Sequence, residues 1–439
     1  MEALAQLRSG SLPALTVELS LRSCSLSTLP HELSSLSSTL THLDLSSNPI
    51  TSLPSPSKFP YASFTSLKII FFSDCNFSSF PAELALFPSL SMISFRGNGM
   101  KEIPEGALPD GLRWLILTNN EIEKLPGDIG RCGQLEKVMC AGNRLRTLPD
   151  SMRECNKLAL LRISCNDIER IPDWLFEMPN LAFLAFSGNP CTTPSSSSTS
   201  PASETLCIPT SELTIGSILG QGASGIISNA TYNSTPVAVK IFKSSTITSD
   251  GSPADEMAAA LRAGRHSNLV SVLGQLVSST GPPGIVLELV PPSYTVLGGS
   301  PSFSSCTRDI YPPSSARLSE VSARALLGGI AAAANHLHKV GVFHGDLYAH
   351  NILVDKEGHA LLGDFGAATI YGRKHEKSGD IERLEVLAFG HLVEDVLGLL
   401  EVKEGRFLER LKVLHERCVG KVVVERPGFE EVVKALGEL

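Results

Sequence analysis

The chain has 439 residues, which is too long for one hydrophobic core, so at least two domains are expected. Its 42% hydrophobic and 19% charged residues are typical of a folded protein and exclude a chain that is disordered throughout. The net charge of -8 argues against nucleic-acid binding, because it gives no overall attraction to phosphates. The sequence has no apolar run of membrane-spanning length, no secretory signal pattern and no C-x-x-C pair among its ten cysteines, and it therefore predicts a cytoplasmic protein without a transmembrane segment.

A repeat of about 23 residues fills the first half of the chain. Leu40, Leu43, Leu45 and Asn48 form the frame L-x-x-L-x-L-x-x-N. The last place of this frame recurs 22 to 27 residues apart, at Cys24, Asn48, Cys75, Asn98, Asn120, Asn143, Asn166 and Asn189. Alternate leucines point into a shared core, and the asparagine can hydrogen-bond the turn after each short strand. The pattern resembles the leucine-rich-repeat family of the short intracellular type and implies an α/β solenoid of about eight repeats over residues 1–190.

One position per repeat would face the concave side of this solenoid. These positions are His42, Ile69, Met92, Trp114, Lys137, Leu160 and Phe183. An exposed, mostly apolar row with Trp and Met is typical of a protein-binding surface. We therefore expect this row to bind a protein partner, and the alternative is that the rest of the chain covers it.

Residues 191–211 separate this solenoid from the second half of the chain. They lose the repeat period and are dominated by Ser, Thr and Pro. Such a composition predicts a flexible linker. Residues 212–439 are then expected to form the second domain.

A glycine-rich loop follows the first predicted strand of this second domain. Gly220, Gly222 and Gly225 give the pattern G-x-G-x-x-G, in which glycines let the backbone approach phosphates closely. A dinucleotide-binding fold would need a helix next, but the following residues have the alternating, β-branched pattern of strands. The order favours a hairpin lid over a nucleotide, with Lys240 on the next strand. Glu256 lies in a predicted helix from which it could pair with Lys240.

Two more motifs follow in order, after another predicted strand and a long predicted helix. Residues 344–351 read H-G-D-L-Y-A-H-N, and residues 363–366 read G-D-F-G. Together with the glycine loop and Lys240, these ordered motifs resemble the protein-kinase superfamily over residues 212–439. The resemblance implies an α+β bilobal kinase-like domain that uses ATP and Mg to phosphorylate Ser or Thr hydroxyls.

The resemblance also implies a role for each motif residue. Asp346 stands in the place of the group that accepts the hydroxyl proton, and Lys240, Glu256 and Asn351 complete the expected catalytic set. Asn351 and Asp364 stand in the places of the magnesium ligands, and both offer the oxygen donors that a hard cation prefers. The residues expected to line the nucleotide site are Leu219, Gly220, Gln221, Gly222, Ala223, Ser224, Gly225, Ile227, Ala238, Lys240, Glu288, Val290 and Leu353.

Several positions depart from the kinase pattern. Gly345 replaces the Arg of kinases that depend on activation-loop phosphorylation, and Tyr348 replaces the Lys usual in serine/threonine kinases. His350 stands where tyrosine kinases have Arg. Only 18 residues separate Gly366 from Glu385, and they contain no A-P-E triplet. The platform that docks a peptide substrate is therefore expected to be short.

These departures leave two alternatives beside an active serine/threonine kinase. The first is a nucleotide-binding pseudokinase scaffold. The second is a small-molecule phosphotransferase, because such enzymes often carry the same H-G-D-L sequence. In each case the solenoid is expected to select a protein partner or substrate.

Overall fold

The computed structural model describes residues 1–13, 15–192, 206–243, 247–277, 281–371 and 377–439. They form two compact units, Met1–Met178 with Asn189–Cys191 and Pro179–Gly188 with Thr192–Leu439. The boundary predicted at residue 190 is the point where the repeat pattern ends, whereas the two units are defined by which residues pack together. For this reason residues 179–188, which carry the pattern of the last repeat, belong to the second unit.

The first unit is a run of short parallel strands that begins after helix α1, Glu2–Ser9. The strands are β1 Glu18–Ser20, β2 His42–Asp44, β3 Ile69–Phe71, β4 Met92–Ser94, β5 Trp114–Ile116, β6 Lys137–Met139 and β7 Leu160–Arg162. Each strand pairs in parallel with the next one along the chain. The predicted solenoid of repeats is therefore confirmed.

Core leucines and prolines explain the shape of each repeat. The central residue of each strand, such as Leu115 or Val138, is buried, because alternate side chains point inward. Short 3-10 helices return the chain on the other side, and Pro149 and Pro172 directly precede two of them. The 3-10 helices of this unit that precede the last repeat are His31–Leu36, Tyr61–Ser63, Ala82–Leu86, Ile129–Arg131, Asp150–Glu154 and Asp173–Glu177.

The row predicted to be an exposed partner surface is largely buried, which corrects that expectation. Ile69, Met92, Lys137, Leu160 and Phe183 are each less than 8% exposed, and only His42 and Trp114 remain partly exposed. In the first unit, part of this burial comes from neighbours in the row, since the Lys137 Nζ lies 4.1 Å from the centre of the Trp114 ring.

The second unit begins with a six-stranded sheet. Its elements in chain order are β8 Phe183–Ala185, β9 Cys207–Pro209, β10 Leu213–Gln221, β11 Gly225–Tyr232, β12 Thr235–Phe242, helix α2 Pro253–Ala263, β13 Val272–Val277 and β14 Gly284–Glu288. Six of these strands form the sheet in the order β10-β11-β12-β14-β13-β9. The last part of the predicted linker is therefore structured, because β9 pairs in parallel with β13. Residues 193–205 of the predicted linker lie outside the described residues.

The rest of the second unit is mostly helical. Its elements are β15 Thr295–Val296, α3 Glu320–Lys339, β16 Val342–Phe343, β17 Ile352–Val354, β18 Ala360–Leu362, β19 Thr369–Ile370, α4 Ser378–Leu399, α5 Arg406–Cys418 and α6 Phe429–Gly437. Helix α4 is central, with residues such as Leu384, Phe389 and Val393 fully buried. Two small sheets complete this part, one of three strands in the order β15-β17-β18 and one in which β16 pairs with β19. This mixed sheet followed by a helical part is the predicted bilobal architecture. No helix in the described ranges is long and apolar enough to span a membrane.

Candidate active site

The glycine-rich loop joins β10 to β11 and folds as the predicted hairpin. Gly225 is required by a close approach of the neighbouring strand, since a Cβ there would lie 2.5 Å from the Ile241 carbonyl oxygen. Gly220 and Gly222 have open space around them instead. The backbone N–H of Gly222 donates to the carbonyl of Gly225 at 2.9 Å and closes the turn.

Lys240 of β12 forms an ion pair with Glu256 of α2, as the sequence predicted. Both side chains are almost buried, at 11% and 4% exposed, so the pair is shielded from water. Burial raises the pKa of the Glu256 carboxyl, and the nearby Lys240 ammonium opposes this shift. The helix that carries Glu256 begins at a capping serine, because the Ser252 Oγ accepts the N–H of Asp255.

The loop of residues 344–351 places Asp346 beside Asn351. The amide nitrogen of Asn351 donates to a carboxylate oxygen of Asp346 at 2.8 Å and to its carbonyl at 2.9 Å. Asp364 lies in the neighbouring G-D-F-G turn with φ of +56°, and its carboxylate accepts the Gly366 N–H at 3.1 Å. The two motifs thus come together as expected.

A cavity of about 380 Å³ joins these groups. Lys240, Glu256, Asn351 and Asp364 all line it. So do six predicted nucleotide contacts from five strands and the loop after β14, namely Leu219, Ile227, Ala238, Glu288, Val290 and Leu353. The apolar walls and few converging polar groups are typical of a small-molecule site.

Other predicted site residues do not line this cavity. Gly220, Gln221, Gly222, Ala223, Ser224 and Gly225 belong to the hairpin loop, and Asp346 lies in the loop of residues 344–351. Leu219 and Ile227, which flank this loop on β10 and β11, line the cavity.

The sequence analysis gave no role to Glu385, which anchors the loop of Asp346. Its carboxylate accepts the Gly345 N–H at 2.7 Å and the imidazole of His338 at 2.8 Å. Burial would raise the pKa of this carboxyl, but the hydrogen bond and charge of His338, with the N–H of Gly345, outweigh burial and lower it. Residues 385–390 read E-V-L-A-F-G and resemble the D-V-W-S-F-G sequence of kinases, and this resemblance is the signal that points to Glu385.

The sequence analysis missed Asp309 entirely. Its carboxylate accepts the Ala349 N–H and binds the His350 imidazole, both at 2.6 Å. Burial would lower the pKa of His350, but the hydrogen bond and charge of Asp309 outweigh it, and the pKa is raised. Asp309 lies in a loop without a motif, so no sequence pattern could have indicated it.

Asn351 and Asp364 could hold a magnesium ion. Because the amide nitrogen of Asn351 donates to Asp346, its amide oxygen stays available to a cation. No group of three His, Cys, Asp or Glu within the described part of the chain could hold a metal by itself. The remaining ligands would come from nucleotide phosphates and water, which is usual for magnesium.

Family comparisons match two parts of the chain. Residues 213–385 are similar to the protein kinase domain, and residues 39–59 are similar to the leucine-rich repeat. The chain therefore resembles leucine-rich-repeat proteins in its first part and protein kinases in its second.

Curated relatives match this chain over part of their length. A probable serine/threonine-protein kinase of Dictyostelium discoideum is 27% identical over 38% of this chain and 11% of its own. The human serine/threonine-protein kinase LATS1 is 31% identical over 24% of this chain and 10% of its own. Fibroblast growth factor receptor homolog 1 of Drosophila melanogaster is 30% identical over 38% of this chain and 25% of its own. The chain thus spans a quarter or less of each of these three proteins.

Proposed function

We propose that this protein is an ATP- and Mg-dependent protein kinase of the serine/threonine type, with leucine-rich repeats that bind a protein partner or substrate. One observation carries the catalytic part of the proposal. The Lys240–Glu256 ion pair, Asn351 and Asp364 line one cavity, and Asn351 is hydrogen-bonded to Asp346. The similarity to the Dictyostelium and human serine/threonine-protein kinases supports the choice of Ser or Thr hydroxyls.

Each side chain has a task in the proposed reaction. Lys240, fixed by Glu256, binds the phosphates of ATP, and the glycine hairpin covers them. Asp346 accepts the proton of the attacking hydroxyl, while its hydrogen bond to Asn351 fixes the direction of the carboxylate. Magnesium held by Asn351 and Asp364 would neutralise the charge on the phosphates.

The repeat unit would bring the substrate close to the kinase domain. Of the seven residues predicted to bind a partner, His42 and Trp114 keep exposed surface, so the proposed contact uses these two positions. Tethering a captured substrate raises its effective concentration at Asp346. We place this activity in the cytoplasm, in keeping with the cysteine pattern, and assign the two tasks to residues 1–190 and 212–439, joined by residues 191–211.

A specific observation favours a second candidate, a nucleotide-binding scaffold without turnover. Tyr348 occupies the place where serine/threonine kinases usually have a Lys near the γ-phosphate, and it is only 5% exposed. A buried phenol supplies no positive charge to the transferred group. Such a scaffold would keep Mg-ATP binding but would not transfer phosphate.

Phosphate transfer from labelled Mg-ATP by the full chain tests the proposal. The assay contains a generic Ser/Thr protein substrate, and a parallel sample contains none. We expect transfer to fall at least a hundredfold in Asp346→Asn, because its amide cannot accept the hydroxyl proton, while Mg-ATP still raises its melting temperature. Retained Mg-ATP binding with no transfer by the unaltered chain would contradict the kinase and support the scaffold.

A further inference from the structure

Residues 179–188, here called the β8 segment, pack inside the second unit although they carry the repeat pattern. The segment contacts the loop of Asp346 and the residues after the G-D-F-G motif. Some of these contacts involve Gly345 and Tyr348, at which the chain departs from the kinase pattern. Others involve residues close to the short interval after the G-D-F-G motif.

The first contact explains Gly345. This residue has φ of +73°, and a Cβ built on it would lie 2.4 Å from the Leu184 carbonyl oxygen and 2.9 Å from that of Ala367. No side chain fits there, because the backbone of the β8 segment occupies the space. The Arg that other kinases carry at this position is therefore excluded by the segment.

The second contact explains Tyr348. The rings of Phe183 and Tyr348 stack with centroids 3.8 Å apart and planes only 9° from parallel. On the same loop, the His350 ring lies 4.9 Å from that of Tyr348. Phe183 is 1% exposed and Tyr348 is 5% exposed, so the two rings shield each other from water.

The two ends of the segment are also fixed. At one end, the Arg426 guanidinium donates to the Pro179 carbonyl at 2.7 Å, and the Lys421 ammonium donates to the side-chain oxygen of Asn180 at 2.7 Å. At the other end, the Phe186 N–H donates to the hydroxyl of Thr369 at 3.2 Å. Arg426 lies between helices α5 and α6, and Thr369 follows the G-D-F-G motif by three residues.

We infer that the β8 segment is a built-in part of the catalytic unit that positions the loop of Asp346, with Phe183 and Leu184 as its positioning residues. This inference rests on the proposed kinase function. The segment supports this loop in a chain whose interval between Gly366 and Glu385 is only 18 residues long. Gly345 then leaves room for the backbone of the segment, and Tyr348 provides the ring on which Phe183 stacks.

Phe183→Leu in the full chain tests the inference, because it keeps apolar bulk but removes the ring stack. Hydrogen exchange of residues 342–354 should become at least fivefold faster, since the loop loses one side of its support. In the transfer assay, kcat should fall about tenfold while the KM for ATP stays unchanged, because Lys240 and Glu256 are untouched. Thr369→Val, which removes the hydroxyl at the far end, should act in the same direction.

Phe95→Leu is the matched control. Phe95 is equally buried and stacks on Phe72 in the first unit, with ring centroids 5.1 Å apart. It should leave exchange over residues 342–354 unchanged. Tyr348→Phe keeps both rings and should retain the kcat that Phe183→Leu loses.

The two readouts separate this inference from the proposed function. Unchanged exchange over residues 342–354 in Phe183→Leu and Thr369→Val overturns the inference, whether or not the chain transfers phosphate. A rise in kcat also overturns it, because the segment would then inhibit the site. If the unaltered chain transfers no phosphate, the proposed function fails and the exchange result alone decides the inference.

Discussion

Asn120 shows how single side chains hold the repeat unit together. Its amide nitrogen donates to the carbonyls of Phe95 and Leu117, both at 2.8 Å. Its amide oxygen accepts the N–H groups of Met100 at 3.0 Å and Asn98 at 3.2 Å. One buried side chain thus satisfies backbone groups of two successive repeats, which would otherwise be buried without partners.

Asn120→Ala should lower the free energy of unfolding of the first unit by about 2–4 kcal/mol, because it leaves several buried backbone groups without partners. Asn120→Asp should cost less, since the carboxylate still accepts the two N–H groups. Urea unfolding followed by circular dichroism measures both changes. Asn76→Ala is the control at an exposed position and should have little effect. Equal losses of unfolding free energy for Asn76→Ala and Asn120→Ala would refute the idea that the buried Asn120 side chain holds successive repeats together.

Motif spacing predicted which side chains meet at the cavity. Lys240, Glu256, Asn351 and Asp364 meet at one cavity as expected, because their order along the chain reflects a known arrangement. The roles of Asp309 and Phe183 could not be predicted, because their partners are distant in sequence. Their contacts depend on packing that no local pattern records.

Among the elements, helix α4 brings several titratable groups together in the second unit. The buried Nδ1 of His391 faces charges from several elements, namely Arg308, Glu394, His415 and Arg426. Burial, aided by Arg308, lowers the pKa of His391 to about 3, while Glu394 opposes the shift. The folded state therefore keeps this imidazole neutral well below the pH at which the unfolded chain binds its proton.

Because the pKa of His391 is lower in the folded state, its contribution to stability is present above about pH 6.5 and is lost as the pH falls toward 3. His391→Gln removes the titration. Between pH 7 and pH 5, the unaltered second unit should lose about 2 kcal/mol more stability than this variant. Urea unfolding at both pH values measures the difference. His31→Gln, at a side chain that is 89% exposed, is the control, and equal losses in all three proteins would contradict the assignment.

Most elements followed from their patterns, and the exceptions have physical reasons. The repeat strands, the glycine hairpin and helices α2 and α3 lie where the sequence predicted them. Strand β9 lies within the predicted linker, because pairing with β13 outweighs a composition that favours disorder. Helix α4 begins at Ser378, so only residues 367–377 lie between the G-D-F-G motif and this helix.

At the scale of the whole molecule, the repeat period and the packing divide the chain at different places. The period ends at Asn189, but the β8 segment packs within the second unit. Sequence periodicity could not predict this division, because a repeat keeps its pattern whichever neighbour it packs against. The two packed units therefore do not contain the same residues as the two halves that the sequence pattern defines.

The central claim is that the cavity around Lys240 binds Mg-ATP. Calorimetric titration of Mg-ATP into the full chain tests it most directly, beside Lys240→Met and Lys356→Met. Lys356 is the control, since its side chain is 87% exposed on the turn between β17 and β18. We predict saturable binding with one site in the unaltered chain and in Lys356→Met, and at least tenfold weaker binding in Lys240→Met, because the phosphates lose their buried cation. No binding by the unaltered chain, or equal binding by all three proteins, would contradict the account.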